Sequence, residues 1–78
     1  MKKPLEELDE RAVRISDKLK RLRLEKGFKS YEKFAWANDL NRVQYWRMEK
    51  GQNFTISSLL KVLDVHKISM SDFFSDLD

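Results

Sequence analysis

Arg42, Trp46, Arg47 and Lys50, with Val43 among them, are the residues of this 78-residue chain whose types and spacing suggest chemistry. At about 100° per residue, a helix that turns Tyr45 and Met48 inward places Val43 directly opposite, flanked by the three cations and the indole. Arg offers a fork of donors to guanine edges or phosphates, and apolar atoms suit thymine methyl groups. Charge runs on helices are usually plain solvated surface, but an exposed Trp without a partner is uncommon. Other chemistries find less support. His66 is the single imidazole and reads as a solvent-facing linker residue after a helix. A metal site needs three or four converging ligands. There is no Cys, no G-x-S-x-G elbow and no Gly-rich phosphate loop, and Glu6-Glu7 and Asp9-Glu10 lie on a helix surface. The chain is therefore not read as an enzyme, and neither a cofactor nor a metal is expected.

The elements that must position that face are legible around it. Ser30 to Gly51 reads as two short helices joined by a tight turn. Ser30 caps the first, in which Phe34 and Ala35 face inward with Tyr31 and Asn38 at the flanks. Asn38-Asp39 supplies the turn, Leu40 an apolar anchor, and Asn41 the N-cap of the second helix. A pair this short cannot bury its apolar faces alone, so the rest of the chain must cover them.

Before the pair, Leu5, Leu8, Ala12, Ile15, Leu19 and Leu22 recur at spacings of three and four, and Gly27 ends the run. The pattern predicts one helix over residues 4–26, with Pro4 in its first turn. A break near residues 11–16, with Ser16-Asp17 capping a separate helix, is the alternative. Leu5 and Leu8 either cap the core, the favoured reading, or meet a partner helix. After the pair, Phe54 folds back on the core and Thr55 caps a fourth helix. Its apolar stripe of Ile56, Leu59, Leu60 and Leu63 serves packing. A last short helix starts at Ser69 or Ser71, and its Met70, Phe73, Phe74 and Leu77 are core or in part an exposed dimer patch. The fold class is all-α.

Charge is unevenly distributed. Residues 1–29 hold ten Lys or Arg against six Asp or Glu, residues 30–53 four against three, and residues 54–78 two against four. A basic front and an acidic tail fit a protein that presents one face to a polyanion. Lys18, Lys20, Arg21, Lys26 and Lys29 are read as long-range attraction for phosphate. The start of the chain has no apolar run behind its lysines, and no stretch approaches membrane-spanning length. Together with the lack of Cys, this suits a reducing cytoplasm.

Taken in order, these residues resemble the helix-turn-helix of the lambda-repressor-like (Xre) family of DNA-binding domains. Ala35 fills the small position of the first helix, Leu40 the aliphatic position after the turn, and Tyr45 and Met48 the apolar positions of the second helix. Glu49-Lys50-Gly51 closes it, and Arg23, four before Gly27, matches the family's Arg that pairs with that Glu. The resemblance spans residues 15–74. The sequence departs from the pattern at Asp39, where Gly is frequent, at Tyr45, usually aliphatic, and at Trp36 and Trp46, usually small or polar.

The resemblance implies a five-helix DNA-binding domain over residues 14–78 with an N-terminal helical extension over residues 1–13. It further implies a sequence-specific regulator of transcription that acts on double-stranded DNA, with repression the commonest outcome in such families. Asn41 would begin the helix that enters the major groove. Arg42, Val43, Trp46 and Arg47 would face base edges, with Gln44 nearer the phosphates. Ser30 and Tyr31 would clamp a phosphate at a helix N-terminus, and Lys50, Gln52 and Asn53 would grip the backbone on the other flank. Arg23 and Glu49 would form a structural ion pair. A homodimer would read a near-palindrome, pairing through the C-terminal end as the family often does. Two alternatives are an antitoxin that also inhibits a protein partner, and a protein-docking module without DNA binding, anchored by Trp36 and Trp46.

Overall fold

The computed structural model describes residues 9–77. Within them the chain forms five helices: α1 (Glu10–Glu25), α2 (Tyr31–Ala37), α3 (Arg42–Glu49), α4 (Ile56–His66) and α5 (Met70–Phe74). The all-helical architecture is the one expected. Each helix starts on a side chain suited to the task. Asp9, Ser30, Asn41, Thr55 and Ser69 sit in extended backbone, and each accepts a hydrogen bond from a main-chain N–H of the first turn.

Helix ends follow a shared device. At α1, the Phe28 N–H bonds the Arg23 carbonyl and the Gly27 N–H bonds the Leu24 carbonyl, with Gly27 left-handed at φ 97°. This paired closure satisfies carbonyls the helix leaves open. The turn between α2 and α3 repeats it, with Leu40 N–H on the Ala35 carbonyl and Asp39 at φ 57°. Helix α4 ends in the same manner on Lys67, at φ 54°. Gly adopts this region freely, whereas other residues are strained there.

The first helix differs from expectation at its start. It begins at Glu10, not four residues into the chain, because Asp9 is extended and its carboxylate takes the Arg11 N–H at 2.8 Å. The residues with the Pro4, Leu5 and Leu8 expectations lie outside those described. No break occurs near Ser16. Its hydroxyl points into the domain and donates to the Met48 carbonyl at 2.7 Å, so it joins α1 to α3 instead of capping a new helix.

The core is Leu19, Phe34, Ala35, Tyr45, Met48, Leu59, Val62, Leu63 and Phe73. Phe34 is its hub: its ring meets Phe28 edge-on at 5.4 Å, Tyr45 at 5.0 Å and His66 in a near-parallel stack at 5.3 Å. His66 is therefore not a solvent-facing linker residue. It is the last residue of α4, half-buried, and its Nε2 is enclosed with no partner among the described residues. The apolar stripe of α4 is also rotated from expectation. Leu59 and Leu63 are buried with Val62, while Ile56 is 64% exposed and Leu60 40%. In α5, Phe73 is buried whereas Met70 and Phe74 stay exposed, and Leu77 beyond the helix packs on the core.

Lys18 is the largest departure. It is only 7% exposed, and its ammonium bonds the Phe73 carbonyl and the Asp76 carboxylate at 2.5 and 2.6 Å, lying over the Phe73 ring. That hydrogen bond holds the Asp76 carboxyl below the usual carboxylate range. An ammonium at the end of α5 also suits the negative end of a helix. Lys18 is thus an anchor for the C-terminal helix, not a phosphate attractor.

Two tests follow from these positions. Burial, with Lys26 adding to it, lowers the His66 pKa from 6.5. The unfolded chain thus binds the extra proton first, so stability falls as pH drops below about 6.5. Urea midpoints between pH 7 and pH 5 are expected to decline for the natural chain and to flatten in His66→Phe. Asp39→Gly removes left-handed strain, and its net gain is expected to be about 0.5–1 kcal/mol after the added freedom of the unfolded chain. Thermal unfolding reads it directly.

Candidate nucleic-acid interface

Helix α3 has 8 residues, below the roughly 12–15 at which a helix holds together by itself in water. Its orientation is therefore imposed from outside, through its inward residues and its two ends. Tyr45 and Met48 are buried, as their spacing requires. At the start, the Asn41 carboxamide oxygen takes the Gln44 N–H at 2.9 Å. At the end, Gln52 N–H bonds the Arg47 carbonyl at 3.0 Å across Gly51, which is left-handed at φ 75°.

Beneath that end lies the ion pair that the family resemblance implies. Arg23 Nε and Nη2 donate to the two carboxylate oxygens of Glu49 at 2.7 and 3.0 Å, and Nη1 donates to the Phe28 carbonyl at 2.8 Å. Both side chains are buried. The hydrogen bond to Glu49 outweighs the burial cost and raises the Arg23 pKa, so the guanidinium stays charged. Burial, with the adjacent Glu49 carboxylate, pushes the Tyr45 phenol up and keeps it neutral. Fork-to-fork pairing fixes direction as well as distance.

With Tyr45, Met48 and Glu49 committed inward, the outward side of α3 carries Arg42, Val43, Gln44, Arg47 and Lys50, all exposed, and Trp46, half-buried. Lys50 lies over the Trp46 ring at 5.9 Å, which accounts for part of the indole's cover. Asn41, Gln52 and Asn53 are exposed at the two ends of the same helix, and Ser30 and Tyr31 are half-buried at the start of α2. Ser30 uses its hydroxyl oxygen to accept the Lys33 N–H at 3.2 Å.

Two contacts on this surface had no signal in the sequence. Arg42 Nη1 donates to Glu32 of α2 at 3.2 Å. Ser58 of α4 donates to the Gln44 side-chain oxygen at 3.3 Å. Each joins residues of different helices, which no spacing within one helix reveals. Among the described residues, no group of three or more His, Cys, Asp or Glu is placed to hold a metal ion. No described helix is long and apolar enough to cross a membrane.

Breaking the buried pair on one side leaves the other charge stranded. Glu49→Ala or Arg23→Ala is expected to cost about 3–5 kcal/mol, read as a lower urea midpoint. Exchange of both for apolar residues of similar volume is expected to recover most of that loss.

No protein-family model matches the chain. Control protein C.MunI from a Mycoplasma species is 39% identical over 67 residues, which cover 85% of this chain and 90% of that protein. Among solved structures, the wild-type restriction-modification controller protein C.Esp1396I is similar with a TM-score of 0.71 and 30% identity, over 88% of this chain and 90% of that one. A single-substitution variant of the same controller gives a TM-score of 0.73 at 30% identity, over 90% and 89%. The fold is thus the helix-turn-helix fold of these controllers, in which α2 and α3 form the pair, and the chain belongs to the restriction-modification controller proteins.

Proposed function

We propose that the chain is a sequence-specific regulator of transcription of the lambda-repressor-like kind, which binds double-stranded DNA by placing α3 in the major groove. The observation that carries this reading is the outward face of α3. A helix fixed by a buried ion pair leaves Arg42, Val43, Arg47 and Lys50 exposed on one side, three of them cations suited to a polyanion. Membership of the controller family supports a regulatory role.

In this reading Arg42, Val43, Trp46 and Arg47 face base edges, with Arg able to bond guanine bidentately. Gln44 lies toward the phosphates with Ser58 behind it. Ser30 and Tyr31 meet a phosphate at the start of α2, and Lys50, Gln52 and Asn53 hold the backbone beyond α3. Residues 14–78 are the DNA-binding unit and residues 1–13 its extension. The regulator works as a homodimer on a near-palindrome, with half-sites about one helical turn apart, and represses by obstructing polymerase. Exposed Met70 and Phe74 on α5 and Ile56 and Leu60 on α4 supply apolar surface for pairing. Such a regulator works in the cytoplasm, where the DNA is.

A second surface favours an added protein partner. Trp36 on α2 is 86% exposed, and Trp is a frequent interface anchor.

The test is selection from random duplex DNA, followed by titration of the enriched sequence across a salt series. Affinity is expected to exceed that for random DNA by about a thousandfold or more. Replacing both Arg42 and Arg47 by Ala is expected to remove that preference. If the double variant keeps it, the reading face is misassigned. If only a protein-capture assay responds, and to Trp46→Ala, the DNA reading gives way to the docking one.

A further inference from the structure

We propose that Glu32 is a specificity-determining residue of this surface: it holds Arg42 in place and suppresses that residue's sequence-blind attraction to phosphate. The inference rests on the DNA-binding reading above.

Glu32 and Arg42 are ten residues apart on different helices, and their side chains meet at 3.2 Å with both more than half exposed. Glu32 stands in the first turn of α2, beside Ser30 and Tyr31, where a phosphate is expected. A carboxylate there repels a polyanion. Its first-turn position favours α2 through the helix dipole, but that benefit requires no contact with α3.

Arg42 needs a restraint. It is the first residue of α3, and a cation at a helix N-terminus faces the positive end of the dipole. A long side chain in that position scatters among rotamers. Glu32 holds it through one terminal nitrogen. Of the five donors on a guanidinium, those on Nε and Nη2 stay available for a base edge. Exposed ion pairs add little to stability, so the consequence belongs to binding. With Glu32 in place, Arg42 is partly neutralised against random phosphate and aimed at one base. Without it, the guanidinium becomes an ordinary backbone-seeking cation.

The experiment compares the natural chain, Glu32→Gln, Arg42→Ala and the double variant. Affinities for the enriched duplex and for random duplex are measured over a salt series, with thermal unfolding followed in parallel. Glu32→Gln is expected to bind random DNA several-fold more tightly, with a salt slope steeper by up to about 0.9. Its discrimination between the two duplexes is expected to fall about tenfold. On the Arg42→Ala background the same change is expected to leave discrimination where Arg42→Ala put it. Undiminished discrimination in Glu32→Gln, with or without a lower Tm, overturns the proposal and leaves Glu32 a helix-start acid. An equal loss with and without Arg42 overturns it too, since Glu32 would then act by another route. A natural chain with no discrimination at all overturns the DNA reading itself, and this proposal with it.

Discussion

Arg23 spans from the last turn of α1 to both oxygens of Glu49 at the end of α3, and it closes a third bond on the Phe28 carbonyl. Three segments are thereby fixed by one planar group: a helix, the loop that follows it and the end of a second helix. Pairing of this kind is weak evidence for net stability, because two charges must leave water. Its contribution is direction. The two-pronged geometry orients Glu49 and, with it, the end of α3. Ser16 adds a second tie to the same end of α3 through the Met48 carbonyl. The outward face takes its position from these bonds together with the burial of Tyr45 and Met48.

The C-terminal end of the domain is held by a second buried cation. Lys18 sits a little over one turn before Arg23 on the same helix, yet it engages the C-terminal helix through carbonyls and Asp76. Helix α1 thus works as a spine with two cationic anchors, one for α3 and one for α5. Phe34 joins the parts between them, since its ring touches the loop after α1, α3 and α4. A small core with one aromatic hub leaves little redundancy. That fits a domain whose short helices depend on their neighbours for their shape.

Much of this was legible in the sequence, for local reasons. Caps at Ser30, Asn41 and Thr55 follow from side-chain oxygens placed before apolar periods. Phe34, Ala35, Tyr45 and Met48 face inward as their spacing dictates. The Arg23–Glu49 pair was reachable through family resemblance alone, because nothing in the local pattern joins residues 26 apart. The long-range contacts leave no such local mark. Lys18 looks like its neighbours Lys20 and Arg21 until α5 closes over it. His66 looks like a loop residue until Phe34 stacks on it. Ile56 and Leu60 satisfy a helical stripe, yet the core meets α4 a fraction of a turn away, on Val62. Glu32 and Ser58 carry no mark of the partners they find on α3.

In the proposed reading, these constraints present α3 to the major groove as a fixed face. A crystal structure of the chain bound to its enriched duplex decides whether they do so. The expected result is α3 lying in the major groove, Arg42 or Arg47 within hydrogen-bond distance of a base edge, and the Arg23–Glu49 pair intact beneath. A complex in which α3 faces away from the duplex, or in which that pair has come apart to let α3 turn, would contradict it.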